Sequence, residues 1–172
     1  MPRIHVCSLA RLADTVAATG ARSLVTIVNA ATPVTRPREI AEDRHLTLGV
    51  SDIVTPVDGH ILPAQAHVDA LLGFVGAWDR ASPLIIHCYA GVSRSTAAAF
   101  IAACALRPDL AETTLAETIR ARSPTATPNS RLVAVADGLL GRDGRMVAAI
   151  AAIGRGAECF EGAPFHLDIG PR

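Results

Sequence analysis

The chain has 172 residues, half of them hydrophobic, with sixteen basic and sixteen acidic side chains and no net charge. That length gives one domain room for a core, and the charge balance excludes both the basic surface of a nucleic-acid binder and an acidic tail. All sixteen basic residues are arginine, so lysine chemistry such as a Schiff base or a P-loop NTPase is excluded. With the alanine richness, this arginine-for-lysine usage points to a high-GC bacterial genome.

Taken in chain order, Arg3 to Cys7 and Ser23 to Val28 read as short buried strands. Between them Ser8 offers an N-cap, Leu9, Leu12, Ala13 and Val16 recur at helical spacing, and Gly20 offers a stop. The proline- and charge-rich stretch from Asn29 to His45 reads as loop with room for one helical turn, and His45 to Val50 as the next strand. "SDIVTPVDGHILP" carries two prolines and an Asp-Gly pair and reads as loop. From Pro63 onward, Val68, Leu71, Leu72, Val75 and Trp78 mark a helix, and Leu84 to Cys88 a fourth strand. Ser95 to Leu106 is apolar almost all round, the pattern of a buried helix.

Beyond Pro108 the pattern turns helical. Leu110, Leu115 and Ile119 mark one helix; Leu132, Val135, Ala136, Leu139 and Leu140 mark a second, with Asn129 as N-cap and Gly141 as stop. "DGRMVAAIAAIG" marks a third. The tail from about residue 158 has no assigned element or role, although Phe160 and Phe165 together point to docking. Strands alternating with helices predict an α/β fold, a mostly parallel central sheet of four to five strands with helices on both faces, in a single domain over residues 1–172.

The cysteines are Cys7, Cys88, Cys104 and Cys159, with no CxxC pair and no metal-ligand spacing. The N-terminus lacks the apolar core of a signal peptide, and the longest apolar runs fall short of the roughly 20 residues a span requires. A reduced, cytoplasmic protein is the expectation. Cys7, Cys104 and Cys159 read as ordinary thiols, and His60 and His67 as surface side chains.

One stretch asks for chemistry. In "LIIHCYAGVSRSTAAAF" a cysteine ends a strand and an arginine follows six positions later, on the turn into a buried helix. Backbone N–H groups of residues 89 to 94, joined by the positive end of the helix dipole, can converge on the centre of such a turn and hold an anion. A Cys88 thiolate is stabilised by the same donors. Arg94 can hold two oxygens of a phosphate with its planar fork, Gly91 suits the tight wrap, and Ser95 can donate to the sulfur. Tyr89, Ala90, Gly91, Val92, Ser93 and Arg94 thus form a candidate phosphate cradle around a nucleophile.

These residues resemble the HCxxGxxR(S/T) signature loop of the cysteine-dependent protein tyrosine phosphatase superfamily, with His87, Cys88, Gly91, Arg94 and Ser95 at its fixed positions. The chain length is similar to the small dual-specificity type. That resemblance implies a general acid just after the strand that precedes the long helix, which is the place of Asp52; Asp58, whose pairing with Gly59 also suits a turn, competes for the role. It implies that Pro128 and Asn129 begin a helix backing the loop, and that His87 steadies the thiolate. It also implies a phosphocysteine mechanism with no cofactor and no metal, acting on a phosphorylated partner.

The loop side chains Tyr89, Ala90, Val92 and Ser93 carry no charge, which favours a phosphoprotein, above all phosphotyrosine, over a phosphoinositide. Nucleotides and lipids stay open as substrates. Two rivals also stand: a phosphate-binding pseudophosphatase module, and a sulfur-transfer or arsenate-reducing enzyme.

Overall fold

The computed structural model describes residues 2–170. Among these described residues five strands form one sheet: β1 (Arg3–Ser8), β2 (Ser23–Val28), β3 (His45–Gly49), β4 (Leu84–Cys88) and β5 (Phe165–Asp168). Their spatial order is β3-β2-β4-β1-β5. The first four are mutually parallel, and β5 pairs antiparallel with β1, Val6 opposite Phe165. The helices are α1 (Leu12–Thr19), α2 (Gln65–Ala77), α3 (Arg94–Leu106), α4 (Glu112–Arg122), α5 (Ser130–Leu139) and α6 (Arg145–Ile153).

The strand order explains why both faces are covered. From β1 to β2 the chain steps over β4 in one direction, and from β3 to β4 it steps over β2 in the other. Right-handed crossovers that run in opposite directions must lie on opposite faces. Accordingly Leu12 and Val16 of α1 pack with Cys7, Leu24, Ile85 and Ile40. On the other face Val68, Leu71 and Val75 of α2 join Val6, Val25, Ile27 and Ile86, together with α3 to α6. The alternation Leu84, Ile86 against Ile85 is the two-residue period of a strand whose faces both meet cores.

Helix α3 sits in the thick of the larger core, and its Ala97, Ala98, Ala99, Ala102 and Ala103 are fully buried. Methyl-sized side chains let its backbone approach the sheet and α2, α4 and α5 closely. No helix among the described residues is long and apolar enough to cross a membrane.

Three local readings change. Ser8 ends β1, and its hydroxyl accepts from Arg11 N–H at 3.2 Å, so it closes the turn before α1 instead of capping the helix. Leu110 precedes α4, which begins at Glu112. The tail divides: Phe165 is buried on β5, whereas Phe160 is fully exposed. The single helical turn of the β2–β3 connection is a 3-10 turn at Glu42–Arg44. Asn129 caps α5 as its sequence position predicts, its Oδ1 accepting from Leu132 N–H at 3.0 Å.

Candidate active site

Residues 88–94 wrap from the carboxyl end of β4, a central strand, to the first turn of α3. Crevices beyond the carboxyl ends of parallel strands are where ligands bind in such sheets. Four carbonyls of this loop are engaged by neighbouring segments. Tyr89 O accepts from Leu9 N–H (3.1 Å), Ala90 O from Gly162 N–H (2.9 Å), Val92 O from Thr127 N–H (2.9 Å) and Ser93 O from Asn129 N–H (3.2 Å). A trans peptide places its N–H opposite its C=O, so the amides of the following residues turn the other way, into the loop. Gly91 makes the wrap possible: its φ is 72°, and a Cβ there would lie 2.8 Å from Ser8 N and 2.9 Å from Cys7 C. Only glycine meets both demands.

At the base of the wrap, Cys88 is 2 % exposed. Its Sγ accepts from Gly91 N–H at 3.3 Å and lies 3.0 Å from Ser95 Oγ. When the sulfur is a thiolate, Ser95 is necessarily the donor. Ser93, at the N-cap of α3, makes no side-chain cap bond.

Arg94 is 8 % exposed, and its guanidinium is fixed from the neighbouring strands. One nitrogen, Nη1, donates to Asn29 Oδ1 at 2.7 Å, just past β2, and to Val50 O at 2.8 Å, just past β3. Nε is buried with no hydrogen-bond partner. A buried orphan donor on a cation is costly unless a ligand satisfies it. Asn29 went unnoticed in the sequence; its only signal was its place at the end of a strand.

Asp52 is exposed on the loop after β3, and its Oδ1 accepts from Ser93 Oγ (2.7 Å) and Asn129 Nδ2 (2.8 Å). It thus touches the 88–94 loop and the helix that backs it. Asp58 lies with Gly59, whose φ is 77°, in a turn closed by His60 N–H to Val57 O at 3.1 Å. The loop is pinned by Ser51 N–H to Ile61 O (2.9 Å) and by Arg131 to Pro63 O (3.2 Å). His60 Nδ1 lies 3.3 Å from Ser51 Oγ, and His67 Nδ1 accepts from Ala64 N–H at the start of α2, 3.1 Å away.

His87 is fully buried, and burial pushes it down to about 4, so it is neutral near pH 7. Nδ1 donates to Cys88 O at 3.4 Å, which leaves Nε2 to accept from Thr26 Oγ1 at 2.8 Å. Thr26 Oγ1 in turn accepts from His45 Nε2 at 2.8 Å. This relay across β3, β2 and β4 holds the backbone that carries the thiol. Thr26 and His45 gave no sign of the role in the sequence, because the register of three strands brings them together.

A pH dependence of stability follows. The folded-state pKa of His87 lies below the ordinary 6.5, so folding favours the neutral form. Its contribution is complete above pH 6.5 and is lost as pH falls from 6.5 to 4, about 3 kcal/mol in all. His5, likewise pushed to about 4 chiefly by burial, acts in the same window. Urea midpoints should drop across that range, and less steeply in His87→Gln; parallel curves for the two proteins would refute the assignment.

Of the remaining cysteines, Cys7 lies on β1 beside β4, with its backbone against Gly91, while Cys104 lies along α3. Burial pushes Cys7 up to about 11 and Cys104 up to about 12, and Cys159 is exposed.

No protein-family model and no curated protein matches the sequence. Solved structures do. The chain is similar to Cydia pomonella PTP-2 phosphatase, at 17 % identity over 78 % of this chain and 84 % of that one, with a TM-score of 0.61. It is similar to human DUSP28 at 21 % identity, covering 81 % and 94 %, with a TM-score of 0.61. It also resembles PTPMT1 in complex with PI(5)P at 15 % identity, covering 87 % and 92 %, with a TM-score of 0.58. The fold is therefore that of the small, dual-specificity-like cysteine-dependent phosphatases.

Proposed function

We propose that this protein hydrolyses phosphate monoesters through a phosphocysteine intermediate, and that its substrate is a phosphoprotein, foremost phosphotyrosine. One observation carries the reading. A buried thiol, held by the Gly91 amide and the Ser95 hydroxyl, begins a loop that ends six residues later in a buried guanidinium with an unsatisfied Nε.

In the first step Cys88 Sγ attacks phosphorus; the S–P bond forms, the bond to the leaving oxygen breaks, and Asp52 gives that oxygen its proton. In the second, water attacks phosphorus, Asp52 takes the water's proton, and the S–P bond breaks. Ser95 donates to the departing thiolate. Arg94 and the inward amides of residues 89 to 94 hold the non-bridging oxygens, and such preorganised donors supply the largest electrostatic share of catalysis. His87 and Asn129 keep the loop and the acid in place. A catalytic thiolate requires a reduced thiol, which suits a cytoplasmic setting.

The likeness to a structure holding PI(5)P supports a second reading, a lipid phosphate. Against it, none of Tyr89, Ala90, Val92 and Ser93 offers a cation to a further phosphate. Phosphate release from matched phosphotyrosine and phosphothreonine peptides, phosphoinositides and nucleotides tests the assignment. Release from phosphotyrosine peptide is expected; turnover confined to lipid or nucleotide would reassign the substrate, and none at all would leave a binding module.

The acid is tested separately. Asp52→Asn should lower kcat by about 10²-fold or more and flatten the acid-dependent limb of the pH profile, while Asp58→Asn stays near wild type. The reverse pattern would move the role to Asp58.

A further inference from the structure

Residues 154–162, between α6 and β5, form a strap laid beside the phosphate loop. It is seated firmly. Gly162 N–H donates to Ala90 O (2.9 Å), Gly156 N–H to Thr127 Oγ1 (3.0 Å) and Ala157 N–H to Pro124 O (2.9 Å). Arg120 holds the carbonyl of Gly154 at 2.7 Å, and Glu161 accepts from Ser8 Oγ at 2.7 Å. The seats are tight: a Cβ on Gly156 would lie 2.5 Å from the Thr125 carbonyl, and one on Gly162 2.8 Å from Gly91 O.

From this fixed strap Phe160 projects with its whole side chain exposed. A fully exposed phenylalanine adds nothing to folding by burial, so its apolar surface is available to a partner. Its position is specific. Phe160 borders a cavity of about 830 Å³ that reaches Asp52, Val92 and Ser93, and a second of about 300 Å³ that reaches Tyr89 and Ala90. It is a ridge between two clefts, both of which open along the phosphate loop.

We propose that Phe160 sets substrate specificity by packing against an apolar side chain that flanks the phosphotyrosine of a peptide lying across the strap. This rests on the phosphotyrosine reading above. The charges around the clefts select a peptide over a polyanionic head group. Glu158 and Glu161 border them, and the nearby cations are already matched, Arg155 to Glu158 (3.4 Å) and Arg11 to Glu161 (3.5 Å). A second phosphate would meet carboxylates, whereas an aliphatic or aromatic side chain meets Phe160, the residue type that anchors interfaces.

Fluorescence anisotropy of labelled phosphotyrosine peptides on Cys88→Ser, with and without Phe160→Ala, is the test. One peptide carries leucine at the positions flanking the phosphotyrosine, the other alanine. With Phe160 present the leucine peptide should bind about tenfold more tightly; Phe160→Ala should erase that difference, and Phe160→Trp should keep it. An equal preference with and without Phe160, no preference at all, or no binding of either peptide would overturn the proposal. So would Phe160-dependent co-sedimentation with phosphatidylinositol-phosphate vesicles in place of peptide discrimination. Wild-type hydrolysis of 4-nitrophenyl phosphate is measured in parallel: its absence would sink the phosphatase reading, while the binding comparison still decides the role of Phe160.

Discussion

Cys88→Ser is expected to abolish phosphate release, by at least about 10⁴-fold in kcat, the order seen when a covalent nucleophile is removed. A serine hydroxyl in the same place would have to lose its proton to attack, and Asp52 cannot serve as its base while it must be protonated for the leaving group. The fold should survive, because oxygen for sulfur leaves the Ser95 and Gly91 partners in reach. Phosphate binding should survive too, since the amides and Arg94 are untouched. Phosphate release by the variant within tenfold of wild type would remove Cys88 from the chemistry. Loss of both turnover and inorganic-phosphate binding, with a native melting profile, would instead mean that the sulfur itself holds the ligand.

Arg94→Lys carries the second largest expected effect, a loss of about 10³-fold in kcat/KM, or about 4 kcal/mol of transition-state stabilisation. The reason lies in how the guanidinium is divided. Nη1 is committed to Asn29 Oδ1 and Val50 O, and Nε is free for ligand. A lysine has one nitrogen for both tasks. If its ammonium satisfies the two strand-end acceptors it leaves the phosphate; if it turns to the phosphate it strands a buried carbonyl, at about 1–3 kcal/mol. Asn29→Ala should fall between wild type and Arg94→Lys, because the guanidinium keeps its chemistry but loses one anchor. Steady-state kinetics on an aryl phosphate decides: full activity in Arg94→Lys would mean that the charge alone suffices.

Much of the site was legible in the sequence, for a local reason. Cys88, Gly91, Arg94 and Ser95 lie within eight consecutive residues, and a strand that turns into a helix over so few positions has few ways to fold. Gly91 illustrates it in part: its positive φ belongs to that one turn, whereas its contact with Cys7 and Ser8 comes from β1 lying beside β4. Asn129, 35 positions after Arg94, was legible because an N-cap has its own signature; that its Nδ2 also reaches Asp52 was not.

What escaped the sequence is what the register of separate strands assembles. Asn29 and Val50 meet Arg94 because β2 and β3 end beside β4. His45, Thr26 and His87 form a relay for the same reason. None of these residues carries a spacing pattern, since hydrogen bonds across strands depend on which strands are neighbours and in what register.

The sequence by itself determined the alternation of strands and helices, the buried α3 and the turn from Cys88 into it. These arise from hydrophobic periodicity and from one short turn, both local properties of the chain. Only the tertiary structure decided that the tail returns as β5 on the edge of β1, that its strap is seated on the 88–94 loop, and that Phe160 is left outside while Phe165 is buried. Two phenylalanines five residues apart look alike to any measure of hydrophobicity. Their opposite fates follow from where the sheet edge and the loop carbonyls stand, which is a property of the assembled fold.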